Sequence, residues 1–515
     1  MPHKKVLRVY LVVGFVILLL VSVPYLYAHF SAGQEFLFGG FLLNPVDGYS
    51  YLAKMHQGWS GSWQFTLPYT DNPGRGTYLF MYYLLLGHIS RVLGMSRILI
   101  FHTFRILGSV LLLLTLARYI HTSFAEDRQR ILGFTLAAGG SGLGWLAVFA
   151  GGFTMDFWVA ETYPFLSAYA NAHFPMGLAI FIYLLRPHRQ LANVWIGLLA
   201  LLLVVMVPFA SILLILLNIV SLLWREIEKY PRDFSRMVSS IPWQRFFWIL
   251  IVSTPVLVYD FLVSRTHAVL QIWNQQNITS SPPWWDVIFS LSPALILAVW
   301  GIKPALKKRE HRLWVVWMVL GVILLTFPWN LQRRFLVGYY IPLACLAVMG
   351  VNSLAEKLKL KYQTLAAVLM ILSVPTNLIV LTSGIQAAST KDPNIYLYHE
   401  ERLALDWIKD HTRRDSLFIA APDSGLLIPA FTGRDVLYGH PFETTFAEQK
   451  KDSLERFYTG GMDESSQKAY LDEHGADYIM YGPRENKLGT FQPLQNTTIK
   501  YQLSNLKIYK IQYNR

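Results

Sequence analysis

The sequence predicts a polytopic α-helical membrane protein with about 11 transmembrane helices, a cytoplasmic N-terminus and a C-terminal extracytoplasmic α/β domain. Three observations lead to this prediction. The 515 residues are 53% hydrophobic and only 15% charged, which is unlike a soluble globular chain. Long uncharged apolar runs recur up to about residue 382. Lysine and arginine are distributed unevenly between the segments that join these runs.

Eleven apolar runs are predicted to cross the membrane. They cover residues 9–28, 98–117, 131–150, 172–185, 191–207, 209–224, 246–264, 284–301, 312–328, 335–352 and 362–382. The adjoining fifth and sixth runs are interpreted as two helices, because one helix of that length would exceed a bilayer core of about 30 Å. Pro208 marks the break between them.

The distribution of basic residues sets the orientation. With a cytoplasmic N-terminus, the inner segments contain 21 lysine and arginine residues, and the outer segments before residue 383 contain 7. This asymmetry explains most of the net charge of +13 and argues against a nucleic-acid-binding protein. The apolar segment 77–94 is then an interfacial or re-entrant helix, since a crossing there would reverse every later loop. Residues 29–97 therefore form one large outer loop.

The composition changes near residue 383. Residues 383–515 are polar and charged, and a helical pattern at 396–411 alternates with the β-rich runs SLFIAA, DVLY, ADYIMYG, IKYQL and KIYKIQY. We therefore predict a transmembrane domain of residues 1–382 and an extracytoplasmic α/β domain of residues 383–515. The predicted location is the cell (plasma) membrane, as an integral multi-pass protein. The single cysteine, Cys345, excludes a disulfide within the chain.

Asp47 is the first aspartate of the chain and lies in the segment NPVDGYSYLAKMHQGW (44–59). The pattern predicts a short surface helix with Asp47 at its N-cap and Gly58 just past its end. Capping alone accounts for the carboxylate. Alternatively, poor solvation beside the membrane would raise its basicity and suit it to general-base catalysis. Both hypotheses stay open on the sequence.

A second outer loop, 151–173, contains Asp156 and Glu161 and no lysine or arginine, and His173 opens the next span. Acids on an outer loop are usually just solvated, and a histidine at a helix start is most often structural. Ionisable groups at the boundary of a span that face the helix bundle are also typical of functional sites.

Arg333 and Arg334, in WNLQRRFLVGYY, depart from the positive-inside pattern because they lie at the outer end of a span. They either extend toward lipid headgroups or form an anion site, since arginine binds phosphate through two N–H groups. The GGSGLG segment (139–144) lies inside a predicted span, where close helix packing is a better interpretation than a dinucleotide site. The sequence contains no H-E-x-x-H, P-loop, cysteine–histidine metal cluster or G-x-S-x-G motif.

Taken in chain order, these features resemble the GT-C superfamily of integral membrane glycosyltransferases, which take a sugar from a polyprenyl-phosphate carrier on the outer face. The resemblance covers about residues 1–382. The segments that match are DGYSYLAKMHQGW after the first span, the interfacial helix 77–94, FHTFRILGS in the second span, DFWVAE in the next outer loop and QRRFLVGYYIPLACLAVMG at a late span. The outer C-terminal domain also fits.

There are departures from the family pattern. Asp47 is followed by Gly48 rather than by a second acid, and Asp156 and Glu161 do not form a D-x-D motif. No cofactor is therefore certain. The resemblance implies either a metal-free mechanism or a weak divalent-cation site built from Asp47, Asp156 and Glu161.

The resemblance implies a glycosyltransferase, of hexosyl or pentosyl type, that moves a sugar from a polyprenyl-phosphate donor to an extracytoplasmic acceptor with inversion. The acceptor class stays open between a glycan, a lipid and a protein, and membrane lipid is a further partner. Asp47 is the implied catalytic base. The residues assigned to substrate binding are Tyr49, Asp156, Glu161, His173, Arg333 and Arg334.

Two other functions fit parts of the sequence. A membrane transporter or lipid flippase would also place charges at the outer face, but it predicts ionisable residues in mid-span and inverted repeats. The chain has Asp260 near the outer end of its span and no repeat. A catalytically inactive GT-C-like protein would keep the same architecture.

Overall fold

The computed structural model describes residues 4–185, 192–230, 236, 243–328 and 330–513. The contacts divide the chain into two compact units. The first unit comprises Met1–Pro24, His102–Val258 and Thr279–Ile385, and the second comprises Tyr25–Phe101, Tyr259–Ile278 and Gln386–Arg515. The whole of the predicted outer loop 29–97 belongs to the same unit as the C-terminal residues.

Helices dominate the chain up to residue 389. In order they are α1 Lys4–Leu20, α2 Val23–Ser31, α3 Pro45–Trp59, α4 Met81–Leu93, α5 Arg97–Ser123, α6 Asp127–Gly139, α7 Gly144–Val148, α8 Pro164–Ala170, α9 His173–Leu185, α10 Asn193–Met206, α11 Pro208–Lys229, α12 Trp243–Thr266, α13 Ala268–Gln276, α14 Trp284–Leu291, α15 Ala294–Lys307, α16 Arg312–Thr326, α17 Tyr340–Leu358, α18 Tyr362–Ser373 and α19 Pro375–Ser389. Short 3-10 turns occupy Met155–Phe157, Arg309–His311 and Gln332–Leu336.

Six helical stretches in the described part of the chain are long and apolar enough to cross a membrane. They are Lys4–Ser31, Arg97–Ser123, Pro208–Lys229, Trp243–Thr266, Tyr340–Leu358 and Tyr362–Ser389. A seventh results if α14 and α15, which meet at a bend of 77°, form one broken span. The protein is therefore a multi-pass membrane protein.

The other predicted spans coincide with shorter helices. Within the described residues α9, α10 and α16 have 13, 14 and 15 residues, or about 20–23 Å of helix against a bilayer core of about 30 Å. The run 131–150 is not one helix, because α6 ends at Gly139 and the backbone is extended at Gly140. The number of crossings thus stays a prediction. The break between the fifth and sixth runs is confirmed, since α11 begins at Pro208.

The apolar segment 77–94 contains the 13-residue helix α4, which is not among the candidate spans. It packs directly on α3 in the second unit. A Cβ atom at Gly58 would lie 2.0 Å from a backbone carbonyl oxygen of α4, and one at Gly87 would lie 2.1 Å from a carbonyl oxygen of α3. Only glycine allows the two backbones to approach this closely, so this contact fixes the position of α3.

A mixed five-stranded sheet organises the C-terminal residues. Its strands are β3 Leu417–Ile419, β4 Asp435–Val436, β5 Tyr478–Tyr481, β6 Thr497–Leu503 and β7 Leu506–Ile511, and its order is β4-β3-β5-β7-β6. Strand β3 pairs in parallel with β4 and β5, and β7 is antiparallel to β5 and β6. Strands β3, β4 and β5 lie within predicted β-rich runs, and β6 and β7 overlap the last two runs but begin one or two residues earlier.

Five helices accompany this sheet, and a two-stranded sheet joins the outer loop to it. The helices are α20 His399–His411, α21 Pro422–Thr432, α22 Ala447–Tyr458, α23 Glu464–His474 and α24 Pro483–Leu488. Strand β1 (Phe36–Phe38) pairs antiparallel with β2 (Tyr396–Tyr398). The outer loop and the C-terminal residues therefore share hydrogen-bonded structure within the second unit.

Candidate functional site

Asp47 lies in the first turn of α3 and is not its N-cap residue. The helix begins at Pro45, and the residue before it, Asn44, has left-handed backbone geometry with φ of 49°. The capping prediction for Asp47 is therefore wrong, and Gly58 lies inside the helix rather than past its end. A carboxylate in the first turn still interacts favourably with the positive end of the helix dipole.

His440 lies beside Asp47 in the second unit. Its Nε2 atom lies 3.5 Å from Oδ1 of Asp47, longer than a normal hydrogen bond, and the imidazole is buried while the Asp47 side chain is 47% exposed. The backbone N–H groups of Phe442 and Glu443 both donate to Nδ1 of His440. A ring nitrogen that accepts hydrogen bonds has no proton, so in the neutral ring the proton is on Nε2 and faces Asp47.

A buried ion pair lies beside this histidine. The Nζ atom of Lys54 is 2.7 Å from Oε1 of Glu443, and the Ser50 hydroxyl donates to the same oxygen at 2.7 Å. Burial pushes the pKa of Glu443 upward, but Lys54, His440 and the Ser50 hydroxyl outweigh it, so the pKa is lowered and the group is ionised. The pair ties α3 to the GHPFETTF segment (439–446) and holds His440 in place.

Tyr49 points into the interior of the second unit. Its side chain is 2% exposed and its hydroxyl donates to the carbonyl oxygen of Asn394 at 3.3 Å. Burial raises the pKa of this phenol. The ring is closed to solvent in this structure, and the assignment of Tyr49 to substrate binding stays a prediction.

Arg333, Arg334 and Glu161 form one cluster in the first unit. Nη1 of Arg334 lies 3.2 Å and Nε of Arg333 lies 3.8 Å from the same oxygen, Oε1 of Glu161. The Arg333 guanidinium also lies 4.4 Å from the centre of the Trp158 ring. Two guanidinium groups therefore lie within 4 Å of one carboxylate oxygen. Such a partly buried group is suited to binding an anion.

Asp156 is fully buried and holds a chain break in the first unit. Its Oδ2 accepts two backbone N–H groups of the GGSGLG segment at 3.2 and 3.0 Å, and its Oδ1 accepts the hydroxyls of Thr154 and Ser290 at 2.7 and 3.1 Å. Gly144 makes room for the carboxylate, since a Cβ there would lie 2.2 Å from Oδ1. The carboxylate thus stabilises the interruption of the predicted span 131–150.

His173 is the first residue of α9 and is buried, with its ring centre 4.0 Å from that of Phe174. The described residues contain no group of three or more His, Cys, Asp and Glu side chains placed to hold a metal ion. Asp156 already accepts four hydrogen bonds, and Glu161 pairs with two arginines. These acids therefore do not fit the divalent cation that the resemblance allowed, and no step below uses one.

The sequence gives little indication of the residues that lie beside Asp47. His440 and Glu443 lie about 390 residues further along the chain, in the GHPFETTF segment between β4 and α22. A histidine and an acid three residues apart in a loop are a weak signal by themselves. The contact with α3 appears only when the fold is known.

The fold is similar to that of solved membrane glycosyltransferase structures. Solved structures of this class match almost the whole chain, and sequence comparison alone does not detect them. No protein-family model matches the chain, and no curated protein matches it in sequence. The resemblance drawn from the sequence is therefore confirmed for the fold.

Two enzymes are among the structural neighbours. The oligosaccharyltransferase AglB of Archaeoglobus fulgidus, crystallised with a tethered acceptor peptide, matches with a TM-score of 0.57 at 12% identity over 93% of this chain and 69% of AglB. The same enzyme has been solved with an inhibitory peptide and a dolichol-phosphate. The arabinofuranosyltransferase AftD from Mycobacteria matches with a TM-score of 0.51 at 13% identity over 98% of this chain, which spans 40% of AftD.

Proposed function

We propose that this protein is a membrane glycosyltransferase that moves a sugar from a polyprenyl-phosphate donor to an extracytoplasmic acceptor, with inversion at the anomeric carbon. The observation that supports this most strongly is the environment of Asp47, on a fold shared with AglB and AftD. An exposed carboxylate, oriented by a buried N–H donor, stands at the start of the outer loop.

Asp47 is the proposed general base. The acceptor hydroxyl is a weak nucleophile, and Asp47 takes its proton as the oxygen attacks the anomeric carbon. The bond between that carbon and the phosphate oxygen breaks in the same step, and the polyprenyl phosphate leaves. A single displacement inverts the configuration at the anomeric carbon. His440 keeps the carboxylate in place and faces it with an N–H group.

Arg333 and Arg334 are the proposed donor-phosphate ligands. Negative charge develops on the phosphate as it leaves, and the two guanidinium groups beside Glu161 stabilise it. Phosphate is a good leaving group, so no general acid is needed. Glu161 positions the arginines, and Asp156 holds the chain break described above. His173 stays a proposed residue of the acceptor side.

The experiment that tests this function is a transfer assay on the full chain in lipid nanodiscs. Polyprenyl-phosphate sugars of hexose and pentose type are offered with glycan, lipid and peptide acceptors, and products are identified by mass spectrometry. We expect transfer from at least one donor, with the anomeric configuration inverted by NMR. Products of retained configuration would contradict the single displacement. Movement of intact donor between leaflets without transfer would favour a flippase.

A further inference from the structure

A polar cavity of about 470 Å³ lies in the second unit, beside α3 and the start of β4. This volume is within the usual range of small-molecule sites, about 300–1,000 Å³. Among the described residues that line it, Trp59 is the one large apolar side chain. A polyprenyl chain would find almost no apolar surface here. The cavity is therefore suited to a polar ligand.

The lining has an excess of positive charge. Lys409, Arg414 and Arg434 face one acid, Asp410. Arg434 is 6% exposed, and its guanidinium donates to backbone carbonyl groups and to the Thr412 hydroxyl. Within the described chain no carboxylate forms an ion pair with it. Burial and then the charge of Arg414 lower the pKa of Arg434. An anion in the cavity would stabilise the charged form of Arg434.

His56 contributes a buried ring nitrogen with an unmet hydrogen-bonding capacity. The residue is 5% exposed, its Nδ1 lies 3.3 Å from the Ser60 hydroxyl, and its Nε2 has no hydrogen-bond partner in the described structure. Burial, and then the cations Arg97, Arg434 and Lys409, lower its pKa well below the usual value, so the ring is neutral. A ligand hydroxyl can donate to or accept from Nε2 in either tautomer.

We propose that this cavity binds an acidic saccharide, and, resting on the proposed function, that this saccharide is part of the acceptor. The cationic side chains recognise a carboxylate or another anionic substituent. His56 and the amide and hydroxyl side chains of Gln64 and Thr66 recognise sugar hydroxyl groups. An inorganic anion would satisfy the first requirement alone.

The test measures binding directly, without catalysis. The full chain in nanodiscs is titrated with a glucuronyl disaccharide, its neutral methyl ester and inorganic phosphate. We expect the acid to bind about 10-fold more tightly than the ester, equivalent to about 1.4 kcal/mol. Lys409→Gln and Arg414→Gln should each remove most of this preference. The control is Lys451→Gln, because Lys451 is an exposed lysine of the same unit that does not line the cavity.

Three outcomes would overturn the proposal. Equal affinity for acid and ester would remove the anion requirement, and unchanged affinity in both cation variants would remove the site. Phosphate that competes as well as the disaccharide would show an anion site without sugar recognition. His56→Asn should weaken binding of acid and ester alike. Binding is measured without donor and without transfer, so failed binding and failed transfer are separate results.

Discussion

Asp47 and Asp156 are two single aspartates of predicted outer loops, and they have opposite surroundings. Asp156 is fully buried and accepts four hydrogen bonds, two from backbone N–H groups and two from hydroxyls. The Asp47 side chain is 47% exposed, and its Oδ1 lies 3.5 Å from Nε2 of His440. A carboxylate offers about four acceptor positions. Asp156 uses them within the protein, whereas about half of the Asp47 side chain is exposed.

Asp156 therefore has a structural role, and Asp47 is the proposed general base. The same substitution should therefore have different consequences at the two sites. Asp→Asn keeps the size of the side chain and removes its charge and basicity. At Asp47 the expected loss is in catalysis, and at Asp156 it is in stability.

The largest expected effect is on catalysis at Asp47. Asp47→Asn should lower kcat for sugar transfer by about 10²–10⁴-fold, the range that general-base catalysis contributes. Its thermal unfolding temperature should be unchanged, because the side chain is half exposed. Transfer is measured by mass spectrometry, and unfolding by intrinsic fluorescence in the same nanodiscs. Full activity of this variant would reduce Asp47 to a helix-terminus residue.

The matched substitution at Asp156 should act on stability instead. Asp156→Asn turns amide hydrogens toward buried donors, and each hydrogen bond to a charged group contributes about 1.5–3 kcal/mol. We expect a clear fall in the unfolding temperature, with the transfer rate per folded molecule within a few-fold of the original. If Asp156→Asn kept the unfolding temperature of the parent and lost transfer, Asp156 would have a role in catalysis and not in stability.

A substitution in the arginine cluster should affect donor binding, whereas Asp47→Asn should affect the rate of transfer. Arg334→Gln should raise the donor KM about 10-fold, since one charge-assisted contact to phosphate is lost and about 1.4 kcal/mol corresponds to tenfold. Arg265→Gln is the control, because Arg265 is another exposed arginine of a predicted outer segment. An unchanged donor KM in Arg334→Gln would favour the alternative hypothesis that Arg333 and Arg334 contact lipid headgroups.

Local patterns in the sequence were sufficient for much of the fold. The β-rich runs and the break at Pro208 are confirmed, because alternation and proline act over a few residues. The N-cap error at Asp47 was avoidable, since Pro45 is typical of a first helical position and points to Asn44 as the cap. The interruption near Gly140 depends on hydrogen bonds to Asp156, which hydropathy does not register.

The candidate site was less accessible from the sequence. Asp47 and the arginine pair were identified from their position relative to apolar runs. The contact of Asp47 with His440 joins residues almost 400 positions apart, and so does the ion pair of Lys54 with Glu443. No short-range pattern links such residues. Their pairing follows from the packing of α3 in the second unit.

The smallest expected effect is at His440, because in the proposed mechanism this residue acts on the reaction only through Asp47. His440→Phe should lower kcat about 10-fold with both KM values unchanged. The acidic limb of the pH–rate profile should move to higher pH, because the N–H group that favours the ionised carboxylate is lost. His399→Phe, at an exposed histidine of the same unit, should leave rate and profile unchanged. A fall in rate without a shifted profile would make His440 a packing residue, and Asp47 would then act without a positioning partner.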